Sequence, residues 1–372
     1  MEIGGTATRW KSPLRTHHEA LGAHFTEVFS REVPRHYGDP AAEYRAAHTS
    51  AVLVDRSGRG LVRAYGRDPV GMVHGLATAN IQAVSDRHGV YSAMLTPKGR
   101  MVAEMRVFRR GAELLIDTSH AALPGLMAHF RKYVPPLFAE FQDVSDDWSM
   151  LTVFGPRARE YVGGGLSVSM PAFMPECGAL WTSIHKQVPG LGPDDADVLI
   201  ARTCYMGVEG YDIFVPTAAV EATWTALRDD GLMPAGHGTL DVLRIEAGQP
   251  RWGSELTEDV IPLEAGLRER AISETKGCYT GQEVIVRILH RGHVNRRLRR
   301  LRFGDLPTPD AGTKLVRPSD GRVVGVVTSA CYSPLVKETI GLGYVRREVI
   351  PPARLHIGTQ DGPGVGVSEL PD

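Results

Sequence analysis

Short apolar runs, separated by turn residues, are the main pattern along this chain. Residues 51–55 and 148–154 are apolar runs of the length that predicts buried strands. Residues 91–108 predict a β-hairpin, because the Thr-Pro-Lys-Gly sequence at 96–99 favours a turn in which glycine adopts positive φ. Residues 163–195 are rich in glycine, proline and small side chains, and they predict loops between short strands.

Apolar residues at helical spacing predict several helices between these strands. The clearest example covers residues 123–134, where large apolar side chains recur every three or four positions. Before four of these predicted helices stands a side chain that can accept a hydrogen bond from a free backbone N–H. We expect these N-caps at Asp68, Ser119, Thr217 and Thr239.

From Arg299 onward the pattern changes to short β-rich runs divided by turns. The Asp-Gly pair at 320–321 is a strong hairpin signal, and the whole tail predicts a small β-barrel. A chain of 372 residues is long enough for two or three domains. The pattern as a whole therefore predicts an α+β protein with a β-rich C-terminal domain.

Composition narrows the class of protein. The 42 Lys and Arg residues nearly balance the 43 Asp and Glu residues, which argues against a globally basic nucleic-acid-binding surface. No segment approaches the ~18 consecutive apolar residues of a membrane span, and the N-terminus lacks a signal-peptide pattern. We therefore expect a reduced, cytoplasmic protein without membrane contact. Its four cysteines have no C-x-x-C spacing and predict neither a disulfide scaffold nor a zinc site: Cys177, Cys204, Cys278 and Cys331.

Several common catalytic motifs are absent from the sequence. It contains no P-loop, no strand-linked G-x-G-x-x-G, no H-E-x-x-H and no G-x-S-x-G. Their absence argues against a nucleoside triphosphatase, a Rossmann dehydrogenase, a zinc protease and a serine hydrolase. We predict no metal site.

The most informative segment consists of Lys276, Gly277, Cys278, Tyr279, Thr280, Gly281, Gln282 and Glu283. Thr280 and Glu283 have the spacing of a capping box, which predicts that a helix begins here. A cysteine that lies just before a helix and close to a lysine is favoured as the reactive thiolate. The alternative is that Cys278 is a small buried apolar side chain and that the glycines serve only the turn.

This segment resembles the signature of the YgfZ family of folate-binding proteins, which are relatives of the glycine-cleavage T-protein and support iron–sulfur enzymes. The resemblance covers most of the chain. It extends to seven further segments, at 95–100, 243–248, 255–258, 262–266, 290–298, 325–329 and 341–345. The family's functional cysteine matches Cys278, and Lys276 beside it would favour the thiolate.

The resemblance implies a three-domain, T-protein-like ring of two α+β domains and a small β-barrel, with tetrahydrofolate or a derivative in a central channel. It also implies a role in iron–sulfur cluster assembly or repair. The expected partners are iron–sulfur assembly factors or client iron–sulfur enzymes, including enzymes that modify tRNA. The expected divisions are a discontinuous domain at 1–50 and 145–250, a second at 51–144, a motif-bearing connecting segment at 251–298 and the barrel at 299–372.

The alternative function is a folate-dependent aminomethyltransferase or demethylase-like enzyme, because the scaffold is shared. Three positions depart from the T-protein pattern and argue against aminomethyl transfer. Ala103 replaces the first member of an acidic pair near the folate's reactive nitrogen, Val208 replaces a pterin-binding glutamate, and Leu240 replaces an arginine. Folate is expected between the domains, close to Tyr91, Met94, Glu104, Tyr205 and Glu209.

A basic stretch from Arg287 to Arg302 holds seven arginines, His290 and His293 but no acidic residue. One interpretation is weak contact with RNA or an acidic partner protein. A second is that Arg287 and its neighbours meet the anionic glutamate tail of a folate, because arginine makes bidentate contacts with carboxylates. The third is a solvated linker that pairs with acidic loops elsewhere, and the near-neutral total charge favours it for most of these residues.

Overall fold

The computed structural model of the protein describes residues 10–86, 88–166, 180–188, 196–203 and 206–371. The strands found there are, in chain order, β1 (Trp10–Lys11), β2 (His24–Val28), β3 (Arg31–His36), β4 (Val52–Asp55), β5 (Gly60–Tyr65), β6 (His88–Leu95), β7 (Met101–Arg110), β8 (Glu113–Thr118), β9 (Glu140–Asp143), β10 (Trp148–Phe154), β11 (Leu180–Val188), β12 (Ala196–Thr203), β13 (Gly210–Pro216), β14 (Met233–Pro234), β15 (Arg296–Gly304), β16 (Lys314–Val316), β17 (Val323–Ser333), β18 (Glu338–Arg346), β19 (Ala353–Ile357) and β20 (Gly364–Ser368).

The helices lie mostly between strands of the first two thirds of the chain. They are α1 (Arg15–Ala20), α2 (Pro40–Thr49), α3 (Pro69–Leu76), α4 (Leu123–Tyr133), α5 (Ala158–Gly165), α6 (Val220–Asp229), α7 (His237–Glu246), α8 (Arg268–Ala271) and α9 (Gln282–Arg291). In the part of the chain that the structure describes, no helix combines the length and the apolar character needed to cross a bilayer.

The strands form a small sheet, a large mixed sheet and a closed barrel. The small sheet has the order β1-β3-β2, and the large one runs β14-β4-β10-β13-β12-β11-β6-β7-β8-β5-β9. The predicted hairpin is confirmed as β6 and β7, which pair in antiparallel register around the turn at 96–99. The predicted α+β class is therefore confirmed.

The predicted C-terminal barrel is also confirmed. Its six strands close in the order β15-β18-β17-β16-β19-β20. Alternate residues of the strands point inward, so that Leu301, Val327 and Val365 are almost fully buried in a core of their own. Barrel closure leaves no free sheet edge, which a small β-domain otherwise has to protect.

One of the four predicted N-caps is confirmed. The Asp68 carboxylate accepts a hydrogen bond from the Gly71 N–H at 2.9 Å and caps α3. The other three are wrong. α4 begins after Ala122 without a side-chain cap, Thr217 opens a short 3-10 turn before α6, and Thr239 lies inside α7. The Thr239 hydroxyl instead donates to a glutamate of α2.

The predicted loops at 163–195 are tested only in part. Residues 167–179 and 189–195 lie outside the described residues. Between them β11 is a strand of nine residues, which is longer than the predicted short strands. It bridges the halves of the large sheet because it pairs with both β12 and β6.

Candidate functional site

A cavity lies between the large sheet, the β2–β3 hairpin and helix α7. It encloses about 1090 Å³ of space, part of which is open to solvent. Among the described residues, Glu104 and Asp241 are its lining carboxylates. The described part of the lining also contains seven arginines, namely Arg31, Arg56, Arg59, Arg106, Arg244, Arg251 and Arg270. This cationic lining suits a ligand that carries negative charge.

Two neighbouring strands, β6 and β7, direct polar side chains to the cavity, and β8 lies beside them. Glu104 and Arg106 are two residues apart in β7 and therefore point to the same face of the sheet. The register places Arg106 opposite Tyr91 of β6 and opposite Asp117 of β8. Met94 alternates to the other face, where it is fully buried in the hydrophobic core. The structure therefore brings Tyr91 and Glu104 to the cavity but not Met94.

Two buried aspartates behind the cavity wall pair with three of the arginines. Asp117 accepts hydrogen bonds from Arg59 at 2.5 and 3.0 Å and from Arg106 at 2.5 Å. Asp212 accepts from Arg106 and, at 3.4 Å, from Arg56. Burial opposes ionisation of Asp117, but the charges of Arg106 and Arg59 outweigh it and hold the pKa of that carboxyl below its usual value. The network fixes the guanidinium groups of the wall.

Glu104 is the carboxylate of this wall that faces the cavity. Its Oε1 lies 3.3 Å from Arg59 Nη2, and Oε2 has no hydrogen-bond partner among the described residues. The Arg270 guanidinium lies 4.3 Å from the centre of the Tyr91 ring. Burial and the nearby Glu104 raise the pKa of the Tyr91 hydroxyl, which therefore remains a neutral donor. Glu104 is placed to accept a proton or a hydrogen bond from a bound molecule.

Helix α7 forms the opposite wall. Asp241 accepts hydrogen bonds from Arg244 at 2.6 Å and from Arg251 at 2.8 Å. Arg244 also donates to Glu255 at 3.0 Å and to the hydroxyl of Ser329, on barrel strand β17, at 2.8 Å. The Ser329 hydroxyl in turn donates to Glu255 at 2.6 Å. A barrel residue therefore helps to hold a cavity arginine in place.

The three positions that depart from the T-protein pattern differ in their surroundings. Leu240 lines the cavity, one residue before Asp241 on α7. Ala103 is fully buried on the sheet face opposite Glu104. Val208 is not in the lining but is partly buried against the hydrophobic cluster that contains Leu240 and Met206. Of the three, only Leu240 changes the polarity of the cavity lining directly.

Two further folate contacts were predicted near Met206, which lines the cavity. One of them, Tyr205, lies outside the described residues, and the other, Glu209, is not in the cavity lining. Glu209 accepts a hydrogen bond from Tyr211 at 2.8 Å and forms an ion pair with Arg202 at 3.3 Å. Its carboxylate is therefore engaged away from the cavity lining.

The basic stretch 287–302 pairs largely with acidic residues of the same chain. Arg287 is exposed on α9 and donates to Glu283 at 2.8 Å, so it does not reach the cavity. Further ion pairs of the stretch are Arg296–Glu264, Arg299–Glu369 and Arg302–Glu338. These contacts favour the interpretation in which most of the arginines are structural.

The predicted Cys278 motif lies outside the cavity lining. Lys276 Nζ donates to the carbonyl oxygens of His74, Ala77 and Ala79 at 2.5, 2.6 and 3.1 Å, so it holds the end of α3. Burial lowers the pKa of the Lys276 ammonium to about 8. Cys278 is an exposed free thiol, and the alternative of a buried apolar side chain is wrong. In the described residues, no three metal-ligating side chains converge into a metal site.

The capping box predicted from Thr280 and Glu283 is wrong. The N-cap of α9 is Gly281, without a side-chain cap, and the Glu283 carboxylate is bound to Arg287 instead. Gly281 has φ +82°, and a Cβ atom on it would lie 2.5 Å from the carbonyl oxygen of Thr96. Glycine is required here because the start of α9 rests on the tip of the β6–β7 hairpin.

Replacing Gly281 with alanine should lower the free energy of unfolding by about 1–3 kcal/mol, because the residue must keep positive φ and the Cβ meets a backbone oxygen. Urea denaturation measures the change. Gly277→Ala is the matched control, since nothing lies within 4 Å of a Cβ there and its φ is not positive. Equal losses in the two variants would contradict the close contact with Thr96.

The sequence patterns single out none of the seven cavity arginines. One signal was available in β7, where Glu104 and Arg106 are the charged residues of an otherwise apolar run at 101–108. A second was the position of Arg56 and Arg59, directly after the buried strand β4. Charged residues at alternate positions in a buried strand, or just beyond its end, are typical of a site.

Two family models match this chain and together span most of it. The GCVT N-terminal domain matches residues 14–276, and the glycine cleavage T-protein C-terminal barrel domain matches residues 296–363. The aminomethyltransferase of Rubrobacter xylanophilus is 30% identical over 342 residues, covering 91% of this chain and 87% of that protein. The aminomethyltransferase of Saccharopolyspora erythraea is 30% identical over 343 residues, covering 91% and 90%.

The fold also matches a solved structure along its whole length. The glycine cleavage system aminomethyltransferase T from Bartonella henselae has a TM-score of 0.86 at 20% identity, covering 98% of each chain. These relatives carry the name aminomethyltransferase, and the narrower YgfZ assignment does not follow from them. Both family models and the full-length relatives agree, and the chain belongs to the glycine cleavage T-protein family.

Proposed function

We propose that this protein is a folate-dependent enzyme that transfers a one-carbon unit from a donor molecule to tetrahydrofolate. The observation that carries the proposal is Glu104, which faces an arginine-lined cavity in a chain of the T-protein family. Glu104 stands at the second position of the T-protein acidic pair that lies near the folate's reactive nitrogen. The anionic glutamate tail of a folate also suits the cationic lining.

The residues of the cavity fit the proton transfers that this reaction requires. When a folate nitrogen forms its bond to the incoming carbon, it must lose its N–H proton. Glu104 Oε2 is open to accept that proton, while Arg59 at Oε1 keeps the carboxylate oriented. Tyr91 supplies a neutral hydroxyl on the neighbouring strand. Arg59 and Arg106, held by Asp117, fix this arrangement before ligand binds.

The test is product formation by the purified full chain with tetrahydrofolate and two kinds of donor. An aminomethylated lipoyl carrier protein would yield methylenetetrahydrofolate, ammonia and the carrier with its dihydrolipoyl thiols. A methylated donor such as sarcosine would yield methyltetrahydrofolate and the demethylated donor. Either product supports the proposal and identifies the donor class. Tight tetrahydrofolate binding without turnover of either donor would contradict it.

Replacing Cys278 with alanine should leave at least about half of the turnover, because the thiol is exposed and lies outside the cavity lining. Steady-state rates of the wild type and Cys278→Ala, at equal concentrations of folded protein, provide the measurement. A tenfold or larger loss would assign the chemistry to the thiol.

A second candidate function is an accessory role for iron–sulfur enzymes, and the exposed thiol of Cys278 favours it. The proposed partners are iron–sulfur assembly factors or client enzymes that modify tRNA. A bacterial strain that lacks its own YgfZ-type protein provides the test, with methylthiolated tRNA nucleosides as the readout. Rescue by the wild type but not by Cys278→Ala would favour this role. Rescue by neither, together with turnover in the folate assay, would favour the transferase.

A further inference from the structure

Arg31 differs from the other cavity arginines whose ion pairs are described above. It lies in β3, is 8% exposed, and forms no ion pair with a carboxylate in the part of the chain that the structure describes. Its Nη2 lies 2.8 Å from each ring nitrogen of His120, and its guanidinium lies 4.5 Å from the centre of the Trp10 ring. Both Arg31 and His120 line the cavity.

This Arg31–His120 pair carries one positive charge. Burial lowers the pKa of the His120 imidazole, and the Arg31 charge lowers it further, so His120 is neutral at neutral pH. Burial also lowers the pKa of Arg31, although Asp143 and Asp146 act at longer range in the opposite direction. A buried cation without a counter-ion in contact is costly to a folded protein. This cost is avoided only if another molecule, such as a bound ligand, supplies the negative charge.

The neighbouring arginines have such partners within the protein. Arg59 and Arg106 are bound to Asp117, and Arg244 is bound to Asp241 and Glu255. Their carboxylates satisfy them without a ligand, so their contribution to the net charge of the cavity is small. Arg31 therefore presents a positive charge that the protein does not balance by a direct ion pair.

We propose that the Arg31–His120 pair binds a carboxylate group of the molecule that occupies the cavity. The guanidinium fork matches a carboxylate, and a single unbalanced charge matches a monoanion. The neutral imidazole can turn its N–H toward the second carboxylate oxygen or accept from Arg31, depending on its tautomer. The identity of the occupant rests on the proposed function, whereas the recognition of a carboxylate rests on the pair itself.

Two molecules of the proposed reaction can supply this carboxylate. One is the folate, through its glutamate tail. The other is the one-carbon donor, which would then be a small methylated acid, since the lipoyl arm of a carrier protein presents no carboxylate at its reacting end. Both sources present a carboxylate to Arg31. They can be distinguished because replacing Arg31 lowers the affinity for folate in the first case and for the donor in the second.

The experiment measures equilibrium binding to the full chain with two matched pairs of probes. The first pair is tetrahydrofolate and its glutamate dimethyl ester. The second pair, added to protein saturated with tetrahydrofolate, is sarcosine and sarcosinamide, in which an amide replaces the carboxylate. The variants are Arg31→Gln and Arg31→Lys, and the control is Arg157→Gln, an exposed arginine that pairs with Glu160 at 2.8 Å. Thermal unfolding checks that each variant is folded.

The wild type should bind the acid of one pair at least about tenfold more tightly than the analogue that lacks the carboxylate, as expected for a charge-assisted hydrogen bond. Arg31→Gln should abolish that preference, Arg31→Lys should keep part of it, and Arg157→Gln should keep all of it. If Arg31→Gln loses the preference for the acid in the first pair, the bound carboxylate belongs to the folate tail. If it loses the preference in the second pair, the carboxylate belongs to the donor. If Arg31→Gln does not fold, the wild-type and Arg31→Lys measurements decide.

Two results would overturn the proposal. One is a wild-type protein that prefers the acid in neither pair, and the other is a preference that Arg31→Gln leaves unchanged. The proposed function fails by a different result, which is the absence of tetrahydrofolate binding to the wild type. In that case sarcosine is titrated without folate, and an Arg31-dependent preference for it would still support the carboxylate site.

Discussion

Replacing Glu104 with glutamine is expected to lower the rate of one-carbon transfer by about 100-fold to 10,000-fold, the usual range for losing a general base. The amide keeps the size of the side chain but cannot take up a proton. Its oxygen can still accept from Arg59, which also keeps its two hydrogen bonds to Asp117. Folding and tetrahydrofolate affinity should therefore change little, so initial rates and dissociation constants separate catalysis from binding.

The matched control for this prediction is Glu113→Gln. Glu113 lies on the adjacent strand β8 and pairs with Arg63 at 2.8 Å, outside the cavity lining. Its replacement should leave the rate within about twofold of the wild type, as is usual for surface positions. A Glu104→Gln enzyme that is as active as this control would remove Glu104 from the mechanism.

Replacing Arg106 with methionine is expected to lower the free energy of unfolding by about 3 kcal/mol. The guanidinium joins Asp117 and Asp212, whose side chains are fully buried. Methionine can occupy much of the same space, so the cost arises mainly from the two carboxylates. The expected loss of free energy is at the lower end of the range for a broken buried pair, because Arg59 and Arg56 still lie beside the two carboxylates. Urea denaturation at pH 7 measures it.

The loss caused by Arg106→Met should shrink in acid. Arg106 helps to hold the pKa of Asp117 low in the folded protein. Such a carboxyl contributes stability above its unfolded pKa of about 3.9, and this contribution is lost as the pH falls through the folded pKa. The difference between variant and wild type should therefore be largest at neutral pH and smaller below about pH 4.

The control for Arg106→Met lies on the same strand. Arg110 is half-exposed and pairs with Asp197, so Arg110→Met should cost less than about 1 kcal/mol. If both variants lose the same free energy at pH 7, the buried network does not stabilise the fold more than a surface pair.

The hydrophobic pattern and the turn residues of the sequence were sufficient to predict the main elements of this fold. The apolar run at 91–108 with its glycine-containing turn became β6 and β7, and the short runs of the tail became a closed barrel. Both predictions depend on short apolar runs bounded by turn residues, which are local properties of the sequence. The Asp68 cap was predictable for the same reason, since its partner Gly71 is three residues away.

Helix starts that depend on distant neighbours were not predictable. Thr280 and Glu283 have the capping-box spacing, but the N-cap of α9 is Gly281, where the carbonyl of Thr96 leaves no room for a Cβ atom. Thr239 was expected to cap α7, yet its hydroxyl binds Glu43, which is 196 positions away. In each case a tertiary contact outweighs a local preference.

The candidate site was predictable only where a family resemblance pointed to it. Tyr91 and Glu104 were expected from that resemblance, and both line the cavity. Arg31 lies in the small sheet and His120 in the turn that follows β8, 89 positions away, so no period or motif joins them. Cys278 was predicted to be functional because it lies in a specific sequence motif. The cavity, in contrast, is formed by side chains that come together only in the folded sheet.

The contact between Arg244 and Ser329 has a consequence for how this protein can evolve. The two family matches leave a gap between 276 and 296, as if the barrel were an exchangeable module. Yet Ser329 of the barrel holds both Arg244 and Glu255 behind the cavity wall. Recombination that swaps in a relative's barrel would therefore alter the cavity lining. Chimeras should retain ligand affinity only when α7 and β17 are inherited together.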